Sequence, residues 1–261
     1  PNIWTVYISL TEWNGIGEPR FTGVQNYNML FKDYMFWDAL TNTVIYWITG
    51  VILILALGLL ISGLLNYNRL RGKAFFKSAT YLPNICAVIA MGIIFSMLFE
   101  KNTGLINEVI FSMGGSKVDW LTGTRFSKLP VIALNVWRNT PWFTMILLSG
   151  LLNISPEYYE AAKVDGANAF QRFFKITLPS LSNVMFFCFI TLTADSWKIF
   201  NEPFMLQGPG TSNVSLFQYM YESGFNVFKL GYASAIGCML TLILLIVSII
   251  QFIIRMKQGE V

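Results

Sequence analysis

Residues 39–65 run without a single charged side chain. A helix of about 20 such residues already crosses the hydrocarbon of a bilayer, so this block constrains the chain more than any motif does. Four more apolar blocks follow, at residues 81–99, 129–152, 181–199 and 232–254. The opening residues 1–10 are apolar but too short to span, and they lack the basic start of a secretion signal. They are expected to be the outer end of a truncated helix. Strict alternation in stretches of about ten residues, the mark of a membrane β-barrel, is absent. The expectation is therefore an all-α membrane protein, a six-helix transmembrane bundle, with residues 1–261 forming one domain.

Composition agrees and excludes other classes. Charged residues make up 12% of the chain, against about 25% in a soluble domain. The net charge is +4, but the basic residues sit at the ends of apolar blocks and form no tract, so nucleic acid is not an expected partner. There is no histidine, and Cys86, Cys188 and Cys238 each lie inside an apolar block. That pattern offers neither a disulfide framework nor a metal site. With the carboxylates mostly at block ends, no catalytic centre and no cofactor are expected in this chain.

The loops orient the bundle. "NYNRLRGKAFFKS" carries Arg69, Arg71, Lys73 and Lys77 and no acid. The positive-inside rule makes it cytoplasmic. Parity then puts residues 100–128 outside, residues 157–179 inside, the next loop outside, and the closing "RMKQGEV" inside. Trp13, Trp120 and Tyr221 fall on the outer side.

Between the third and fourth of the five blocks stands "EYYEAAKVDGANAFQRFFKITLP", residues 157–179, charged and turn-rich where its flanks are apolar. Ser155 is placed to cap a helix and Pro156 suits its first position. Gly166 permits a left-handed turn that ends this helix, and a second amphipathic helix is expected to stop at Pro179. By pattern alone such an elbow serves either as an interfacial helix under its own bundle or as a docking site.

The spacing Glu160-Ala161-Ala162, three residues, Gly166, nine residues, Ile176-Thr177-Leu178-Pro179 resembles the EAA loop of binding-protein-dependent ABC importer permeases. The resemblance implies the type I importer permease fold with a cytoplasmic coupling helix. It implies contact with an ATPase subunit through Glu160, Ala161, Ala162, Asp165, Gly166 and Ala167. "SLTEWNG", "FTGVQNYNMLF", "GKAFFKSATYLPNI", "GLINEVIFSMGGSKVDWL" and "VWRNTPWFTMILLSGL" extend it over nearly the whole chain, towards the carbohydrate-uptake branch. "LQGPGTSN" is similar to the Gly-Gly-Pro loop of the first, maltose-permease-like subunit, with Gly208-Pro209-Gly210 in altered order and Gln207 in place of the usual threonine. Implied partners are a second permease subunit, two ATPase subunits that bind ATP-Mg, an extracellular or periplasmic solute-binding protein, a saccharide and membrane lipid. The implied location is the bacterial cytoplasmic membrane, multi-pass, with the C-terminus in the cytoplasm. This chain has no Walker motif and is not expected to be an enzyme.

Aligned on Trp137, Pro141, Pro179 and Pro83, the family's sugar contacts fall at Asn135, Arg138, Asn139 and Trp142, at Leu192, Ser196 and Ile199, and at Asn84 and Val88. Asn135, Asn139 and Trp142 share one helical stripe, a polar surface with an aromatic plate for a sugar's CH face. Arg138, Asp195 and Lys198 are ionisable within spans and read as functional. Asp195 and Lys198 could also neutralise each other at i,i+3. If they do not, Arg138 and Lys198 would suit an anionic saccharide such as one containing uronates. The competing functions are import of another solute (glycerol phosphate, amino acid or phosphate) and a non-transporting scaffold that docks an ATPase.

Overall fold

The computed structural model describes residues 2–67, 70–257 and 259. Arg69 of the basic loop, Pro1, and residues 258, 260 and 261 of the closing segment lie outside the described residues.

The chain opens with α1 (Asn2–Ser9), a hairpin of β1 (Thr11–Glu12) and β2 (Arg20–Phe21), and α2 (Gln25–Lys32). The hairpin is antiparallel, with Thr11 opposite Phe21 and Glu12 opposite Arg20. Then come α3 (Tyr34–Asn66), α4 (Lys73–Ile85), α5 (Val88–Leu98), α6 (Leu105–Ser112) and α7 (Lys128–Leu152). The elbow holds α8 (Pro156–Val164), α9 (Ala169–Arg172), a π-helical turn (Phe173–Thr177) and α10 (Leu178–Ser180). The rest is α11 (Ser182–Trp197), α12 (Asn201–Met205), α13 (Leu216–Tyr221), a second π turn (Glu222–Asn226) and α14 (Leu230–Lys257).

α3 begins before its apolar block because Asp33 caps it, its carboxylate accepting from the Met35 amide at 2.9 Å. Its 33 residues make a rod of about 50 Å. Ala39, Thr43, Tyr46, Gly50, Ile54, Gly58 and Ser62 recur every three or four residues as its buried stripe. α7 lies along that stripe at close range. A Cβ added at Gly58 would sit 3.3 Å from Leu147 Cδ1 and 3.6 Å from the Thr144 amide. Small residues let helix backbones approach in lipid, where no hydrophobic drive pulls helices together. α11 completes this core, with Val51, Ile54, Val136, Phe143, Leu147, Cys188 and Leu192 in one cluster. α14 packs against α1 and α13, its Ala235, Ile236 and Leu240 meeting Leu30, Phe36 and Leu216.

One expected straight span is bent. Residues 81–99 form no single helix: α4 and α5 meet at 91°, with Cys86 and Ala87 extended between them. Pro83 already removes one ladder bond within α4, so the helix is weakened just before the break. The second helix of the elbow does not stop at Pro179 either. The π turn passes the Leu178 amide back to the Phe173 carbonyl, and the wider ladder accommodates the proline, which sits within α10. The 66° bend falls after Ser180, at Leu181.

α3 and α14 are each long and apolar enough to cross a bilayer, and the two bent pairs are long and apolar enough as broken spans. α7, with 25 residues and about 37 Å of length, is long enough but carries Asn135, Arg138 and Asn139 at its middle. Outward on α14, Leu245, Ile249, Ile250 and Ile254 are all about half exposed. An apolar face of that extent suits lipid and not water.

Candidate functional site

Asn135 lies on α7 one turn before Asn139, and the pair is bonded: Asn139 Nδ2 donates to Asn135 Oδ1 at 2.7 Å and to the Asn135 carbonyl at 3.0 Å. Asn135 is buried against α3 because Gly50 has no side chain there. A Cβ on Gly50 would lie 3.3 Å from Asn135 Nδ2 and 3.6 Å from Ser196 Oγ. Ser196, buried on α11, lies across the same gap that glycine leaves open. Its hydroxyl has no hydrogen-bond partner among the described residues, and neither has the buried Trp197 Nε1.

Arg138 turns to another side of α7. Its Nη1 donates to Glu202 Oε1 at 3.1 Å, and Glu202, on α12, is 4% exposed. The guanidinium, its side chain 27% exposed, compensates the desolvation of the buried carboxylate, and loss of either would strand the other. Arg138 Nε remains buried without a partner. Asn84, at the end of α4 beside the sharp bend, donates to the Arg138 carbonyl at 3.3 Å. Asn84 and Arg138 thus meet in one contact and Asn135 and Asn139 in another around the middle of α7, with Ser196 unbonded nearby.

Trp142 is half exposed and faces α4, lining with Lys77, Tyr81 and Ser149 a cleft of 670 Å³. Lys198 stands apart from the cluster. It pairs with Asp195 at 3.3 Å on the exposed face of α11, opposite Ser196 and Trp197. The two cations considered for an anionic ligand are both spoken for within the chain. Leu192 and Ile199 are buried core, and Val88 is the first residue of α5.

Glu202 is the partner that the sequence did not suggest. It lies three residues past an apolar block, where hydropathy alone places a loop. Gly50 was equally silent, as one glycine in an apolar run.

The elbow is closed by hydrogen bonds among its own neighbouring residues. Ser155 Oγ accepts from the Glu157 amide, and α8 ends in a left-handed Gly166 at φ +76°. The Gly166 amide bonds the Lys163 carbonyl at 3.1 Å and the Ala167 amide the Ala162 carbonyl at 2.8 Å. That pair of bonds is a Schellman closure, which satisfies the end carbonyls of α8. Asn168 and Gln171 then form a capping box that starts α9. Tyr159 and Thr177 hydroxyls meet at 2.9 Å and tie α8 to the π turn. Glu160, Ala161, Asp165 and Gly166 are exposed on this joint, and Ala162 and Ala167 half-buried. Around them Val164 is 89% exposed and Phe170 71% exposed, with Tyr158 and Phe174 also open. A cleft of 710 Å³, lined by Gly63, Asn66, Leu151, Tyr159, Glu160 and Arg172, separates the elbow from the ends of α3 and α7.

The loop holding Gly208-Pro209-Gly210 is fixed by side chains from far along the chain. Asn213 Oδ1 accepts from the Gly208 amide at 2.8 Å, and Asn213 Nδ2 donates to the Leu206 carbonyl at 2.6 Å. Asn42 of α3 donates to the carbonyls of Thr211 and Val214, and Tyr46 to that of Asn213.

Residues 54–258 match the family model described as "Binding-protein-dependent transport system inner membrane component". The chain is 33% identical over 239 residues to the Arabinooligosaccharides transport system permease protein AraP of Bacillus subtilis, covering 90% of this chain and 76% of the relative. It is 33% identical over 267 residues to the Trehalose/maltose transport system permease protein MalF of Thermococcus litoralis, covering 100% of this chain and 87% of that protein. Among solved structures, a chain of the bacterial alginate ABC transporter, crystallised in complex with its alginate pentasaccharide-bound periplasmic protein, superposes with a TM-score of 0.78 at 20% identity. That match covers 91% of this chain and 84% of the other and is a likeness of fold.

Proposed function

This chain belongs to the family of binding-protein-dependent transport system inner membrane components, and from that premise we propose that it forms half of the membrane pathway of an ATP-driven oligosaccharide importer. It is a membrane protein of a non-catalytic transporter family. The finer parts of the reading are ours: one transmembrane domain over residues 1–261, in the cytoplasmic membrane, with its C-terminus inside. It pairs with a second permease, receives solute from a binding protein, and docks ATPase subunits that hold ATP-Mg.

The observation that carries the reading is the elbow, a rigid joint whose exposed face sets Val164 and Phe170 among charged residues. Val164 is 89% and Phe170 71% exposed, with the Phe170 ring meeting that of Phe174 at 4.4 Å between centroids, and the Schellman and capping-box bonds hold their backbone in one geometry. A flexible loop could not transmit movement from an ATPase to α7 and α11, whereas this one is bonded into both flanking turns. Glu160, Ala161, Ala162, Asp165, Gly166 and Ala167 form its contact surface. The saccharide reading rests on the names of the two relatives, which assign them arabinooligosaccharides and trehalose/maltose. It is supported by the polar cluster of Asn84, Asn135, Arg138, Asn139 and Ser196 beside the Trp142 plate, which together could read hydroxyls and stack a sugar ring. A scaffold has no use for polar groups at the middle of a span, where they are costly.

The test is co-expression of the chain with its neighbouring permease, ATPase and binding protein. The purified complex should take up a saccharide into proteoliposomes only with ATP on the ATPase side. Complex formation without solute-stimulated ATP hydrolysis would favour the scaffold, and uptake confined to amino acids or phosphate would favour the other solute class.

A further inference from the structure

We infer that Glu202 sets the charge selectivity of the pathway by cancelling Arg138, so that the saccharide carried is uncharged. This rests on the saccharide reading above and narrows it. The sharing of one fold with an importer of alginate, an acidic polysaccharide, leaves charge preference open, because a 20–21% likeness fixes the helices and not their side chains. Local charges decide it.

Two ion pairs bear on the question, one at the middle of α7 and one on the exposed face of α11. Arg138 meets Glu202 at 3.1 Å with the carboxylate almost wholly buried, and Lys198 meets Asp195 at 3.3 Å. A uronate carboxylate entering beside Arg138 would face a cation already compensated and a second carboxylate within reach. In a low-dielectric site that arrangement repels an anion and gives it nothing to balance. What remains unpaired is neutral hydrogen-bonding capacity: the Nε–H of Arg138 and the hydroxyl of Ser196, both buried without partners. Those are groups that a sugar hydroxyl satisfies. Arg138 is thereby a donor stripped of its net charge, and Glu202, three residues after Ile199, is the specificity residue behind it.

The experiment uses the full complex with its own binding protein in ATP-loaded proteoliposomes. Uptake is compared for maltotriose and arabinotriose, for trigalacturonate, and for the cationic trimer of glucosamine. The wild type takes up a neutral trisaccharide in preference to trigalacturonate. Glu202→Gln strands the guanidinium, and the acidic-to-neutral uptake ratio should rise about tenfold, in line with one charge-assisted hydrogen bond gained by the carboxylate. Arg138→Gln is the mirror: it strands the carboxylate and should raise the ratio of glucosamine trimer to neutral sugar. The double variant Arg138→Gln/Glu202→Gln, which leaves no stranded charge, should return to the neutral preference. Should Glu202→Gln fail to assemble, the mirror and the double variant carry the same test. A wild type that prefers trigalacturonate overturns the inference, and so do assembled single variants with unchanged ratios, since the pair is then only structural. A wild type that moves no saccharide of any charge instead removes the carbohydrate reading itself.

Discussion

Replacing Gly166 tests whether the elbow works as a rigid joint, and its geometry fixes the size of the effect. The residue sits at φ +76° with no atom within 4 Å of an added Cβ, so a side chain there meets no neighbour and acts only through the backbone. A left-handed conformation costs a non-glycine residue about 1–2 kcal/mol, with asparagine the most tolerant. The turn it closes is held by two hydrogen bonds, at 3.1 Å and 2.8 Å, each worth about 1 kcal/mol net. The penalty is thus comparable to what holds the turn, and alanine should depopulate it. Affinity falls in proportion to the competent fraction, so Gly166→Ala should weaken ATPase binding by up to about 5- to 30-fold, the range that 1–2 kcal/mol spans. Gly166→Asn should lose far less. Gly166→Pro should lose binding altogether, because proline fixes φ near −65° and has no N–H for the Lys163 carbonyl. Binding of the purified ATPase to permease heterodimers in nanodiscs, titrated for all four residues at equal insertion, reads the order directly. Alanine binding as tightly as glycine, or asparagine as weakly as alanine, would refute the backbone argument and with it the rigid joint.

Other outcomes follow from the same geometry. With Cys86, Cys188 and Cys238 replaced, a cysteine at exposed Arg71 should be labelled by an impermeant reagent only from the cytoplasm, and one at exposed Ser116 only from outside. Gly115 is a poorer reporter, since its Cβ would lie 2.7 Å from Ile110 Cγ2. Trp142→Ala should lower uptake about 3- to 10-fold by removing a stacking face, and Asn139→Leu by a similar factor through the lost bonds to Asn135, each with the complex intact on size-exclusion chromatography. In the outer loop, the Thr103 amide and hydroxyl and the Asn102 amide hold the Glu100 carboxyl below its ordinary 4.5. A lowered carboxylate stabilises the loop above that ordinary value and loses the contribution as pH falls through the folded one. Hydrogen exchange at Asn102 and Thr103 should therefore stay protected at pH 5 once corrected for intrinsic rates, and Glu100→Gln should open it there.

What the sequence disclosed and what it withheld divide by chain distance. The elbow was legible because its determinants are neighbours. Ser155 and Pro156 start α8, and Gly166 closes it within two residues of its last turn. The apolar blocks announced α3 and α14 for the same reason, since hydropathy is summed locally. The bends were not legible. Pro179 looked like a stop, yet a π turn five residues long absorbs it, and the break at Cys86 and Ala87 has no breaker of its own. Least visible was the Arg138–Glu202 pair, whose members are 64 residues apart. A cation in the middle of a span nonetheless demands a carboxylate, and that demand could have been posed from sequence. Asp195 lies inside an apolar block and stands out there, whereas Glu202 falls past the end of that block at Ile199. The chain beyond that limit does not leave the bundle: α12 turns back against α5 and α7, its Met205 against Gly92, where an added Cβ would come within 2.6 Å of it. The absence of a side chain at Gly92 lets α12 approach this closely, and that approach brings Glu202 within reach of Arg138. The charge balance of the site therefore depends on a glycine on a different helix, which no reading of either charged residue's own neighbourhood could reveal.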